Sequence, residues 1–261
     1  MRRDTRCIAL FIGDGPFSKK LQRIFTEEVA RIEAPAPNIR VLGRGGDISA
    51  VSWDLAFVVT PPQAHVDVLP KLWTEPRISS AVLRPIWVEK PFCSSGVDAH
   101  QLVSAARRAV FNPTFVDFTH LMDPLVEVIA HRFDGREKKP KMRLSTRMHH
   151  LPYQPRSYMT PEWDWGAHSE AMAQRLGATL DEGELVWPTP EPLYRVEVDP
   201  PAVLSTAWNP DGKGLQRGMR EMLRYVYGTP AAMIEHPNWN LRFAADVTAR
   251  LEQRFGACTR A

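Results

Sequence analysis

Residues 7–32 read CIALFIGDGPFSKKLQRIFTEEVARI. The run 7–13 is apolar and has the length of one buried strand. Two glycines, Gly13 and Gly15, follow it. Then Phe17, Leu21, Ile24, Phe25, Val29 and Ile32 recur at intervals of three and four, which is the spacing of one helix face. A strand, a tight turn and a helix in that order open a parallel α/β sheet.

The same alternation continues outward. IRVLG (39–43), DLAFVVT (54–60), IWVE (86–89) and TFVDF (114–118) read as further short strands. AHVDVLPKLW (64–73) and SGVDAHQLVSAARRA (95–109) read as helices, with Pro70 placed to kink or shorten the first. Near-continuous apolar strands imply a sheet covered on both faces. Right-handed crossovers then make it doubly wound. No separate helix fits between the second and third strands. In such sheets ligands collect at the carboxyl ends of the strands. Four features fall there: the glycines after strand one, Arg44 after strand two, Thr60-Pro61 after strand three and Lys90 after strand four.

GDGPFS (13–18) fits the dinucleotide pattern G-x-G-x-x-[G/A/S] between a strand and a helix. Gly13 permits the tight turn, and Gly15 lets a pyrophosphate approach the backbone and the helix N-terminus. Pro16 suits the first helical turn. Ser18 replaces a third glycine, so looser helix–strand packing is expected. An acid for the adenosine ribose is missing at Gly43-Arg44. The arginine favours a 2′-phosphate, hence NADP(H), with NAD(H) left open. Asp47 is an alternative ribose ligand, and Arg44 as a solvated loop residue is another reading.

The chain has 261 residues, room for two domains. Its net charge is +3, with acids and bases mixed and no basic tail, so nothing asks for nucleic acid. No apolar segment approaches the roughly 20 residues of a membrane span, and the N-terminal apolar run is too short for a secretory signal. Cys7, Cys93 and Cys258 are widely spaced and form neither a disulfide framework nor a metal motif. The cytoplasm is the default setting. Residues 1–118 are expected to form a dinucleotide domain. Residues 119–261 are expected to form a smaller α+β domain with a mainly antiparallel sheet, from candidate strands 142–150, 184–188, 193–198 and 202–208. A final helix near 240–255 carries a broad apolar face that would pack back onto the body.

Four stretches in order resemble the Gfo/Idh/MocA (glucose–fructose oxidoreductase and inositol dehydrogenase) family. DLAFVVTPPQAHVDVL resembles its strand followed by T-P-x-x-x-H, at Thr60, Pro61 and His65. VEKPF resembles its E-K-P signature, at Glu89, Lys90 and Pro91. FVDFTHLMDPLVEVI resembles the passage out of its nucleotide domain. WDWGAHSEAMAQRLGA resembles its D-x-G-x-H helix start, at Asp164 and His168. The segment between His168 and the closing helices is short, so the chain looks like a shortened member, and the family's sheet-mediated homodimer and sugar-binding wall are in question. The family's acid three residues after the histidine is Ala171 here, with Glu170 one place early.

The resemblance implies hydride transfer between NAD(P)(H) and a small polar carbonyl, hydroxyl or imine compound, such as a sugar derivative or biosynthetic intermediate. Hydride transfer from an alcohol requires removal of the hydroxyl proton, which a lysine or histidine can take. The resemblance gives these roles to Lys90 and His168, with a cis Lys90–Pro91 bond aiming the lysine. Asp164, one turn before His168, would share its helix face. Glu89 would pair with a neighbouring base. His149, His150, Tyr158 and Trp165 are candidate substrate contacts, each with a competing reading as strand-edge or core residue. Two other functions stay open: a non-catalytic nucleotide-binding or regulatory protein, and a glycosidase that uses NAD transiently.

Overall fold

A computed structural model describes residues 6–43, 45–74, 84–108, 112–133, 141–146, 156–180, 194–199, 206–208, 211–227 and 236–258. Arg44, His149, His150 and the candidate strand 184–188 lie outside the described residues.

The first half is the expected alternation. Strands β1 (Ile8–Ile12), β2 (Asn38–Leu42), β3 (Leu55–Val58), β4 (Ile86–Val88) and β5 (Thr114–Val116) form one sheet in the order β2-β1-β3-β4-β5. Every pairing is parallel. Helices α1 (Pro16–Arg31), α2 (His65–Thr74) and α3 (Gly96–Arg108) join them. The β2–β3 connection holds only a short 3₁₀ turn, Ile48–Ala50, in place of a helix. Asp47 caps that turn, its carboxylate accepting from Ser49 N–H at 2.9 Å and from Ser49 Oγ at 2.7 Å. Pro70 lies inside α2 without ending it. β5 stops two residues early because the Phe118 N–H turns back onto Val116 O at 2.9 Å.

The second half contributes α4 (Pro124–Phe133), β6 (Lys141–Thr146), α5 (Pro161–Leu176), β7 (Thr179–Leu180), β8 (Tyr194–Asp199), β9 (Thr206–Trp208), α6 (Gly214–Tyr227) and α7 (Leu241–Phe255). Its sheet runs β7-β6-β8-β9. The β6–β8 and β8–β9 pairs are antiparallel, and β7 joins β6 in parallel. β7 is a strand of two residues that follows the left-handed cap Gly177, too short for any periodicity to announce.

Both faces of the first sheet are covered. On one, Phe11 stacks on Phe57 at 4.3 Å and packs with Phe25 of α1, while Trp87 and Phe115 meet residues of α6. On the other, Leu10, Val58, Ile86 and Val88 join α2, α3, α5 and α7 in the larger core. α7 packs against α3 and α5, and α6 against α1, so the closing helices return to the first sheet. The approach of α7 to α5 is close: a Cβ on Gly166 would lie 2.7 Å from the Phe255 ring. Glu170, buried on α5, adds an ion pair to Arg254 of α7 at 2.6 Å. These contacts fix α5 against the carboxyl edge of the parallel sheet.

Candidate active site

The edge begins with the glycine turn. Gly13 has φ +113°, and a Cβ there would stand 2.4 Å from Val59 O. Only glycine fits, because both the dihedral and the space exclude a side chain. The turn is pinned to β2 by Gly13 N–H donating to Leu42 O at 2.8 Å. Gly15 precedes the first residue of α1, and nothing stands within 4 Å of the position its Cβ would take. Open space over the first N–H groups of a 16-residue helix is the arrangement that receives a phosphate. Ser18, in the place of a third glycine, is fully buried. Its small side chain packs like a third glycine, and its hydroxyl accepts from Gln22 Nε2 at 3.2 Å.

The loop after β3 carries Thr60 and Pro61. The Thr60 hydroxyl is buried without a hydrogen-bond partner among the described residues. His65 is completely buried behind this loop. Its Nδ1 lies 2.8 Å from Phe92 O and its Nε2 3.1 Å from Thr60 O. Burial holds its pKa below the usual histidine value, against those two carbonyls. A neutral ring donates one of these contacts and ties the loop after β3 to the loop after β4.

Lys90 follows β4, and the Lys90–Pro91 peptide is cis. The lysine is 8% exposed, and Nζ contacts both the backbone oxygen and the carboxylate of Asp164, the latter at 2.5 Å. Asp164 lies in the first turn of α5, whose N-cap Thr160 accepts from Trp163 N–H at 3.4 Å. A carboxylate there is favoured by the helix dipole. Its second oxygen meets Arg156 Nε at 3.3 Å. Arg156 also donates to the Tyr158 hydroxyl at 3.3 Å, which places Tyr158 at this end of the site. Gln63 donates to Tyr158 O at 2.8 Å and joins that segment to the β3 loop.

Trp165 stands over Lys90, with Nζ 5.7 Å from the ring, and 6.3 Å from the ring of His168. Trp163, its near neighbour in sequence, is core: it is fully buried and donates to Gly256 O at 3.1 Å. His168 stacks on His120 at 4.0 Å between ring centres. His120 in turn bonds the hydroxyl of buried Tyr194. Lys90, Asp164, Trp165 and His168 are therefore brought together. Tyr158 joins them through Arg156, and the glycine turn occupies the same edge two strands away.

Two carboxyls complete the edge. Glu89 and Asp117 end the adjacent strands β4 and β5, and Asp117 N–H donates to Val88 O at 2.9 Å. Burial, followed by the charge of Asp117, pushes Glu89 up to about 8. Burial pushes Asp117 up to about 7, against a hydrogen bond from Thr119 Oγ1 at 3.0 Å. Sequence reading passed over Asp117, Arg156 and His120. Asp117 had a signal, an acid closing an apolar strand, the same one that exposed Lys90. Arg156 and His120 had none, since their roles depend on partners from other elements. Among the described residues no group of His, Cys, Asp and Glu is arranged to hold a metal ion, and no helix is long and apolar enough to cross a membrane.

No protein-family model matches the chain, and no curated protein matches its sequence. Solved structures do share its fold. An oxidoreductase from Agrobacterium radiobacter, in complex with NAD+, L-tartaric acid and magnesium, aligns with a TM-score of 0.63 at 14% identity, over 95% of each chain. Biliverdin reductase from Synechocystis sp. PCC 6803, in complex with biliverdin and NADP+, gives 0.61 at 14% identity, over 95% of this chain and 99% of that one. GenD2 from gentamicin A biosynthesis, in complex with NAD, gives 0.65 at 14% identity, over 96% and 94%. The likeness spans both sheets and is a likeness of fold.

Proposed function

We propose that the chain is an NAD(P)(H)-dependent oxidoreductase of the Gfo/Idh/MocA type. Its substrate is a small polar compound with a carbonyl, hydroxyl or imine group, such as a sugar derivative or biosynthetic intermediate. The observation that carries this reading is the buried contact of Lys90 with Asp164, on the same sheet edge as the Gly13 turn. A fold of this type binds ligands at that edge, and an ion pair at 8% and 6% side-chain exposure carries a desolvation cost that apolar residues there would avoid.

The residues present fit a dinucleotide. The Gly13 turn and the open N-terminus of α1 would hold the pyrophosphate, and the Thr60 loop, Glu89 and Pro91 would line the nicotinamide end. When bound, the nicotinamide supplies or accepts the hydride. Preference for NADP(H) rests on Arg44, with NAD(H) as the alternative.

Lys90 handles the proton. In the direction of reduction its N–H donates to the substrate oxygen as negative charge develops there. In the direction of oxidation the amine takes the hydroxyl proton. Asp164 holds the amine in place from one side and Trp165 covers it from another, limiting water. His168 presents a second proton-carrying group one turn along α5 from Asp164. Tyr158 and Trp165 contact the substrate.

Equilibrium fluorescence titration with NADPH and NADH tests the cofactor half of this reading, and binding of at least one is expected. Turnover is then sought with a panel of sugar and keto compounds. Lys90→Ala and His168→Ala are each expected to lower it by about 10²–10⁴-fold, the usual scale of a lost general acid or base, with dinucleotide affinity kept. Full turnover in both variants would overturn the assignment of roles, and absence of binding to either dinucleotide would overturn the function.

A further inference from the structure

Three carboxyls meet at the Lys90 end of the sheet: Glu89 at 6% exposure, Asp117 at 1% and Asp164 at 4%. Two of the cations that face them, Lys90 and Arg156, both pair with Asp164, one on each oxygen. Glu89 Oε2 and Asp117 Oδ2 are buried and accept no hydrogen bond among the described residues. An ionised carboxylate left so poorly solvated is strongly disfavoured. Two of them on neighbouring strand ends disfavour each other further, as like charges do in any carboxylate dyad.

We propose that Glu89 and Asp117 act as one buried acid pair that holds a single proton between them beside Lys90, and that this proton offsets changes of charge in the site. The proposal adds two positioning residues to the function given above and rests on it for the role of Lys90. Two buried, unbonded carboxyl oxygens on neighbouring strand ends, with Lys90 and Arg156 both engaged by Asp164, favour one shared proton over two full charges. Thr119 donates to one oxygen of Asp117, which makes Asp117 the better ionised partner and Glu89 the better proton holder. The values near 8 and 7 for the two acids agree in order. The other charges facing the pair are Arg156, five residues before α5, and Asp164 in its first turn, which act on Glu89, and Lys20 of α1, which acts on Asp117.

One consequence concerns the cofactor. The oxidised nicotinamide ring carries a positive charge and the reduced ring does not. Binding of the oxidised form favours the fully ionised pair and releases part of its proton to solvent, whereas binding of the reduced form does not. No bond other than O–H is broken, and the proton passes to water or buffer.

Infrared titration of the whole chain tests the pair directly. A protonated-carboxyl stretch is expected at neutral pH and lost on raising the pH through the range of the two acids. Glu89→Gln and Asp117→Asn, made separately, each remove one charge and are expected to shift loss of the remaining stretch to lower pH by about one unit or more. The two variants keep the side-chain shape, and either one that folds suffices. Absence of a protonated-carboxyl stretch in the wild type, or a titration unchanged in the variant, would overturn the proposal. Calorimetry with NAD(P)+ and NAD(P)H in buffers of different ionisation enthalpy adds the second readout, with proton release expected for the oxidised form alone. Equal release with both forms would contradict the coupling. Failure of both dinucleotides to bind would sink the functional reading, and the infrared stretch would still decide the acid pair.

Discussion

The two ends of the parallel sheet's carboxyl edge are built differently. At the β1–β2 end the groups offered to a ligand are backbone: the Gly13 turn, the N–H groups of α1 and a strand, β2, that is half-buried to exposed along its length. At the β4–β5 end they are side chains, the charged ones buried, drawn from two strand ends and from α5, which arrives about 70 residues later in the chain. The first end needs only local sequence to form. The second needs the whole fold, because the partner of Lys90 is Asp164 of α5, and α5 is packed against α7. A recognition end made of backbone tolerates drift in its surroundings. A chemical end made of buried charges does not.

The sharpest test of that contrast is Lys90→Ala. It removes the cation bonded to Asp164 Oδ1 among three buried acids, and turnover is expected to fall by about 10²–10⁴-fold while NADH or NADPH titration changes by only a few-fold. Equal loss of binding and turnover would mean that the two ends are not separable. Gly13→Ala breaks the other end. Strain at φ +113° and the clash with Val59 O are together expected to destabilise by about 2–5 kcal/mol in urea unfolding, with dinucleotide affinity falling at least about tenfold.

These two residues also show what the sequence discloses. The glycine turn was legible because its constraint is local: a positive dihedral and a close approach leave one residue type. Lys90 was legible because a charge ended an apolar strand. The five strands of the first sheet were legible for the same reason, being short apolar runs between turn signals. Asp47, an alternative ribose ligand in the sequence, also caps the 48–50 turn, a use that its spacing to Ser49 already allowed. Ser18 is fully buried in the place of a third glycine, since a hydroxymethyl group is small enough for the interface. His120, Arg156 and β7 were not legible, because each is defined by a partner distant in sequence.

Packing offers a milder version of the same comparison. Ile86→Ala in β4, fully buried, is expected to cost about 2–5 kcal/mol. Val41→Ala in β2, 45% exposed, is expected to stay within about 0.5 kcal/mol. Chemical denaturation of the two variants measures the difference, and equal costs would deny that β2 is the lightly packed edge.

The last test is pH-dependent stability. Glu89 and Asp117 have folded-state values raised above those of an unfolded chain, so the folded state binds more protons between the two ranges. Raising the pH from about 5 through about 8 therefore lowers stability. The melting temperature is expected to fall as the pH rises through that window, and Glu89→Gln or Asp117→Asn is expected to flatten the slope. A melting temperature that rises with pH there, or a slope that both variants leave intact, contradicts the buried pair.

The account depends most on the two ends serving one ligand. A crystal soaked with NADPH or NADH measures this directly. The pyrophosphate is expected over Gly13–Gly15 and the nicotinamide C4 near enough to Lys90 Nζ for a single small substrate to touch both. A dinucleotide seated away from the glycine turn, or a nicotinamide separated from Lys90 by protein, would contradict it.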